Sequence, residues 1–154
     1  MKRLEDFIAR HVARQPDKPA LMDSATTLTY AALWTAVERR AETMRLHPDV
    51  AWVERVSQTA DFLVTYLAAH LSGMVIVPLE HDLPDELFLC IQEQAQSCPM
   101  PDGVADVLFT TGTTGRQKGV MVSHRAILAN AQNLVEAQGF SSRLTFVVCG
   151  PLNH

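Results

Sequence analysis

Hydrophobic residues recur at two different periods along the chain, and these periods alternate. Apolar positions three or four residues apart predict amphipathic or buried helices over 4–14, 31–46, 60–72, 84–96 and 124–138. Short apolar runs bounded by turn residues predict strands over 20–22, 28–30, 50–56, 74–77, 104–110, 120–122 and 144–149. Strands that alternate with helices are typical of the α/β class, so we expect a mostly parallel sheet flanked by helices.

Residues at the ends of these segments support the assignment. Gly73 is a natural C-cap for the third helix, and Thr59 or Asp61 could cap its N-terminus. Ser123 is in the right place to cap the last helix. The turn at 26–27 predicts that the first two strands form a hairpin.

The last predicted strand, 144–149, is followed directly by Gly150-Pro151-Leu152-Asn153-His154. A buried strand needs a helix or another layer to cover its apolar side chains. We therefore expect residues 1–154 to be a truncated piece, or one part of something larger.

Composition and charge exclude several functional classes. Hydrophobic residues make up 47% of the 154 residues, charged residues 19%, and the formal net charge is -4, as in an ordinary globular protein. This weak acidity, without a Lys/Arg cluster, argues against a nucleic-acid partner. No apolar segment is long enough for a membrane span, and the N-terminus has no apolar signal region, so the cytoplasm is the default location.

Cysteines and histidines give no metal signal in the sequence. The three cysteines form no C-x-x-C pair, so neither a disulfide framework nor a zinc site is indicated. The six histidines also lack metal-ligand spacing, and we expect them to be surface or core residues. The spacing of the side chains along the sequence therefore indicates no metal site.

One segment, Phe109–Gly119, concentrates the residues that bind phosphate, and we call it the Gly/Thr loop. Glycine backbone lets N–H groups approach an anion, threonine hydroxyls donate to phosphate oxygens, and lysine adds a mobile positive charge. The predicted phosphate ligands are Thr110, Thr111, Gly112, Thr113, Thr114, Gly115 and Lys118. The alternative is a plain Gly/Thr turn. The segment is not a Walker loop, which needs Gly-Lys followed by Ser or Thr.

The Gly/Thr loop resembles the phosphate loop of the adenylate-forming superfamily, which includes acyl-CoA synthetases, nonribosomal peptide adenylation domains and beetle luciferases. The usual pattern is aromatic-Thr-Ser-Gly-Thr-Thr-Gly-x-Pro-Lys-Gly, from which Thr111 and Gln117 depart. Thr111 keeps the hydroxyl, whereas Gln117 removes a proline that would stiffen the loop.

Four flanking segments resemble the same superfamily in the same order. They are Leu28–Leu33, Gly73–Leu79, Val120–Arg125 and Pro151–His154. The resemblance covers nearly the whole chain, although the stretch between Leu79 and Val104 is shorter than usual.

The resemblance implies a fold, a reaction and a set of partners. The fold would be the N-terminal subdomain of the large domain, with 1–154 a partial AMP-binding (adenylation) domain that lacks the C-terminal lid domain. A small carboxylic acid would attack ATP, with Mg²⁺, to give an acyl-adenylate and pyrophosphate. A thiol of CoA or of a carrier protein's pantetheine would then displace AMP. The Gly/Thr loop would bind the ATP phosphates, and Lys118 would stabilise charge rather than act as a base.

His154 would lie near the substrate carboxylate if the superfamily's placement carries over, and the alternative is a frayed terminal histidine.

Three functional hypotheses remain open for the chain. It is a fragment of an acyl-CoA synthetase-like ligase, a non-catalytic remnant that acts as a binding or assembly module, or one half of a split ligase. Its protein partner would be a second copy of itself or the remaining part of the ligase.

Overall fold

The structure, a computed structural model, describes residues 3–47, 49–110 and 118–152. Within these ranges the helices are α1 (Leu4–Arg14), α2 (Tyr30–Met44), α3 (Ala60–Ser72), α4 (Asp85–Ser97) and α5 (His124–Gln138). The strands are β1 (Pro19–Met22), β2 (Thr27–Thr29), β3 (Ala51–Arg55), β4 (Val75–Leu79), β5 (Val104–Thr110) and β6 (Lys118–Ser123). The predicted alternation of helices and strands is confirmed.

In the part of the chain that the structure describes, the central sheet has four strands in the order β3-β4-β5-β6. Strands β3, β4 and β5 are parallel, and β6 pairs antiparallel with β5. The prediction of an α/β fold with a mostly parallel sheet is therefore confirmed. Strands β1 and β2 form a separate antiparallel pair, as the turn between them predicts.

Apolar side chains on the two faces of the sheet belong to two separate cores. Ile76 of β4 packs in a core formed largely by α2 and α3, whose fully buried members include Leu33 and Phe62. Its neighbours Val75 and Val77 point the other way and pack with residues of α4. Helices thus cover both faces, and this is why β4 is apolar along its whole length.

Polar caps fix the start of three helices, as the sequence predicts for two of them. Thr29, Thr59 and Ser123 each accept a hydrogen bond from a backbone N–H in the first turn of α2, α3 and α5. Gly73 ends α3 in the left-handed conformation, with φ of 87°.

The predicted strand at 144–149 is wrong. These residues adopt no regular secondary structure, and Phe146, Val147 and Val148 are 62%, 85% and 60% exposed. A strand requires a neighbour that satisfies its backbone N–H and C=O groups. Within the described residues no other strand pairs with this segment, so its apolar composition alone does not make it a strand.

Across the described ranges, no helix combines the length and the apolar character needed to cross a bilayer.

Candidate functional site

The pairing of β5 with β6 brings together the two ends of the Gly/Thr loop. Thr110, the last residue of β5, lies opposite Lys118, the first residue of β6, and both side chains are exposed. Thr110 also lies at the carboxyl end of the parallel strands, where ligands bind in open α/β sheets. The structure therefore places two of the predicted phosphate ligands side by side at that edge.

The other predicted phosphate ligands, Thr111, Gly112, Thr113, Thr114 and Gly115, lie outside the described residues, as does His154. Their roles stay predictions.

Gly119 has a packing role next to this site. It lies opposite Phe109 in the β5–β6 pair. A Cβ atom at this position would lie 2.9 Å from Val107 Cγ1 and 3.2 Å from Phe109 Cζ. Because both are anchored side chains of the neighbouring strand, glycine allows β6 to lie close against β5. In the sequence Gly119 is simply the last residue of the Gly/Thr loop, and its packing role depends on the pairing of β6 with β5.

The segment after β6 turns directly into a helix. The Ser123 hydroxyl accepts a hydrogen bond of 3.1 Å from the Ala126 N–H, which confirms its interpretation as a helix cap. Arg125 is exposed in the first turn of α5. His124 is the first residue of this helix and is only 5% exposed.

A buried polar network lies beneath this turn. The Asp106 carboxylate of β5 accepts hydrogen bonds of 2.8 Å from the Tyr66 hydroxyl and 2.8 Å from His70 Nε2. Burial, and then the charge of Asp106, raises the pKa of Tyr66, so this hydroxyl stays protonated and donates. Burial, and then the neighbouring His70, lowers the pKa of His124 to about 4, which keeps its ring neutral.

Sequence patterns missed this network, although two signals were present. Asp106 interrupts an otherwise apolar strand, and His70 lies in an otherwise apolar helix. A buried charge is stable only when it is paired or hydrogen-bonded. Such residues therefore predict partners elsewhere in the fold, but periodicity does not say which ones.

A groove of about 890 Å³ lies elsewhere, between the β1–β2 hairpin, α2, α3 and the edge strand β3. Burial raises the pKa of Glu54 in its wall, and a hydrogen bond from the Trp52 indole partly opposes this effect. Neither Thr110 nor Lys118 lines this groove, so among the described residues it is separate from the candidate phosphate site.

Comparison with solved structures identifies the class of fold. Over 96% of its length, the chain superimposes with a TM-score of 0.80 on o-succinylbenzoate coenzyme A synthetase (MenE) from Bacillus subtilis, solved in complex with ATP and magnesium ion. The sequences are 19% identical, and the match covers 51% of the synthetase chain. The fold is thus that of the N-terminal part of adenylate-forming enzymes.

The chain belongs to the AMP-binding enzyme family, which matches it over residues 8–97 and 85–154. It is 29% identical to phenyloxazoline synthase MbtB from Mycobacterium sp. (strain MCS) over 81% of the chain and 14% of the synthase. The chain is also similar to a CoA ligase from Rhodococcus jostii that is named for a methyl-dioxo-octahydroindenyl propanoyl group. The two are 44% identical over 35% of the chain and 10% of the ligase. The chain therefore spans a small part of these curated relatives, and about half of the synthetase structure.

Proposed function

We propose that this chain supplies the phosphate-binding part of an ATP-dependent, AMP-forming acid–thiol ligase. In the first step a carboxylate oxygen attacks the α-phosphorus of Mg·ATP, forming an acyl-adenylate and releasing pyrophosphate. In the second step a thiol attacks the acyl carbon, forming a thioester and releasing AMP. The thiol would belong to CoA or to the pantetheine of a carrier protein, and the cytoplasm supplies the ATP.

The position of Thr110 beside Lys118 carries this proposal. It puts a hydroxyl and a positive charge at the two ends of a Gly/Thr loop, at the carboxyl edge of a parallel sheet. Membership of the AMP-binding enzyme family supports the assignment of ATP to this edge.

Each predicted residue would have a limited chemical task. The hydroxyls of Thr110, Thr111, Thr113 and Thr114 would donate to phosphate oxygens, while Gly112 and Gly115 would let the backbone approach them. Lys118 would offset the negative charge that develops on pyrophosphate as it leaves. His154 would lie on the side of the substrate carboxylate.

A second candidate function is a binding or assembly module, and the exposed apolar segment 144–148 favours it. Large exposed apolar patches commonly mark surfaces that another protein or domain covers. The remaining domains of a ligase, a separate polypeptide of a split ligase or a second copy of the chain would each cover such a surface. A module without catalysis would gain no stability from Mg·ATP, whereas a ligase gains it by mass action.

The test is the substitution Lys118→Ala in the intact protein. We expect the affinity for Mg·ATP or pyrophosphate to fall by about 1–2 kcal/mol, the value of one charge-assisted contact, which is roughly 5- to 30-fold. Isothermal titration calorimetry measures this change. Carboxylate-dependent ATP–pyrophosphate exchange should fall in parallel.

Lys18→Ala is the matched control, because Lys18 is also exposed but donates its hydrogen bond to the Ser142 carbonyl. We expect it to leave nucleotide affinity unchanged. Equal affinities for the wild type and Lys118→Ala would contradict the placement of ATP phosphates at this edge.

A further inference from the structure

Three buried side chains from three different helices converge behind the β5–β6 pair. Glu5 lies in the first turn of α1, His70 in the last turn of α3, and His124 is the first residue of α5. Their exposed fractions are only 4%, 0% and 5%. One oxygen or nitrogen of each residue lies within 4.8 Å of the corresponding atoms of the other two.

The hydrogen bond from His70 to Asp106 defines which ring nitrogen can act as a ligand. The Asp106 carboxylate also accepts from Tyr66, and a carboxylate can only accept. His70 Nε2 therefore carries a proton and donates it over 2.8 Å to Asp106 Oδ1. In the neutral ring the other nitrogen, His70 Nδ1, has the lone pair that a metal ion needs.

Two polar atoms at this point have no partner among the described residues. His70 Nδ1 and Glu5 Oε2 are both buried and, among the residues that the structure describes, accept no hydrogen bond. A buried polar atom left without a partner destabilises the folded state. A carboxylate oxygen and an unprotonated imidazole nitrogen are both electron-pair donors, so a cation bound by both would satisfy them.

We propose that Glu5, His70 and His124 form a site for one divalent transition-metal ion, with zinc the ion that suits them best. Two imidazoles and one carboxylate are a common set of three protein ligands for zinc, with water completing the tetrahedron. Magnesium and calcium prefer sites made only of oxygen, so the two nitrogens disfavour them.

The surroundings of the three ligands fit this assignment. Histidines that bind a metal usually donate their second ring nitrogen to a carboxylate, which is the arrangement of His70 with Asp106. Ligand atoms on a tetrahedral zinc are about 3.3 Å apart at zinc–nitrogen distances of about 2.0 Å, so small side-chain rotations close the site.

Such an ion would connect parts of the chain that are far apart in sequence. It would join the start of α1 to the end of α3 and to the helix that follows β6. Its effect is therefore expected first in stability, and it is independent of the magnesium that accompanies ATP in the proposed reaction.

The first test uses the intact protein, made metal-free with a chelator and titrated with Co²⁺, which reports its ligands through visible absorbance. We expect one Co²⁺ ion to bind per chain, with tetrahedral absorption bands and no thiolate charge-transfer band. Zn²⁺ should displace the bound Co²⁺, whereas excess Mg²⁺ should not. Replacing Cys90, Cys98 and Cys149 with serine removes competing thiols, because all three are exposed. No binding in this background, or bands typical of thiolate, would overturn the proposal.

Two variants then locate the ion. Glu5→Gln keeps the side-chain shape but weakens the ligand, and Asp106→Asn removes the charge behind His70. We expect each to lower zinc affinity by about 10- to 100-fold and to remove most of the zinc-dependent rise in Tm. His81→Gln, at an exposed histidine, is the control and should bind zinc as the wild type does. Wild-type affinity in folded Glu5→Gln would show that zinc binds elsewhere.

Discussion

At the scale of the residue, Gly119 shows how closely β5 and β6 approach each other beside the candidate phosphate site. Its missing side chain is a steric requirement, since a Cβ atom would lie 2.9 Å from the branched side chain of Val107. Valine has few rotamers in a strand and cannot move away cheaply. Any change at this position therefore acts on the pairing that places Thr110 beside Lys118.

We predict that Gly119→Ala lowers the free energy of unfolding by about 1–3 kcal/mol, the usual cost of overpacking. Gly150→Ala is a matched control because a Cβ atom there would meet no atom of the described residues within 4 Å. Urea denaturation followed by circular dichroism compares the two variants. A Gly119→Ala protein as stable as the Gly150→Ala protein would show that β6 shifts away from β5 without cost.

The sequence predicts the structural role of a single residue correctly where that residue acts on backbone groups close to it in the chain. Ser123 and Gly73 act on backbone groups within a few positions of themselves, so the sequence alone reveals them as helix caps. Glu5, His70 and His124 are far apart in the chain and meet only through the packing of three helices. No spacing rule finds such a group, and the six histidines were accordingly interpreted as surface or core residues.

At the scale of the element, Asp23 connects the β1–β2 hairpin to the start of α3. Its Oδ1 accepts hydrogen bonds from the N–H groups of Ala25 and Thr26 within the turn, at 2.8 and 2.7 Å. Its Oδ2 accepts a third, of 2.8 Å, from the N–H of Ala60. These bonds, that from Ala60 above all, lower the pKa of Asp23 below its ordinary value of 3.8.

This lowered pKa predicts how acid affects stability. A carboxylate with a lowered folded-state pKa contributes stability that is present above its ordinary pKa of 3.8 and is lost as pH falls through the folded-state pKa. We expect Asp23→Asn to be less stable than the wild type at neutral pH, and the difference to shrink in acid. Thermal melts between about pH 2 and pH 7 measure it, with Asp17→Asn as the control at an exposed aspartate. A difference that stays constant across this range would contradict the prediction.

Helices and strands were predictable to within a few residues wherever the element packs against a neighbour close in sequence. The bounds of α1 and α3 agree with the apolar periodicity, because both helices pack against α2 and α3 is buried on most sides. The bounds of α5 also agree, although His124 is the only buried residue of that helix. The segment 144–149 has a strand-like composition but no strand beside it among the described residues. Strand formation depends on a distant partner, which composition does not reveal.

At the scale of the whole molecule, one sheet is shared by two cores. Consecutive residues of β4 alternate between them, with Ile76 on the side of α2 and α3 and Val77 on the side of α4. Both side chains are fully buried. Because β4 lies between β3 and β5, neither core can lose its packing on this strand without disturbing the other.

We therefore predict that residues 3–152 unfold in a single cooperative transition, whichever face is weakened. Ile76→Ala should lower the free energy of unfolding by about 2–5 kcal/mol, and Ile76→Val, its conservative control, by about 0.5–1.5 kcal/mol. Tryptophan fluorescence comes from Trp34 in α2 and from Trp52, which packs against the first core, so it reports that face. Far-ultraviolet circular dichroism reports all helices. The two signals should give one midpoint in the wild type, in Ile76→Ala and in Val77→Ala, as a two-state transition requires. If Ile76→Ala shifted only the fluorescence midpoint, the layer of α2 and α3 would unfold independently. Packing on one face of the sheet would then not stabilise the packing on the other face.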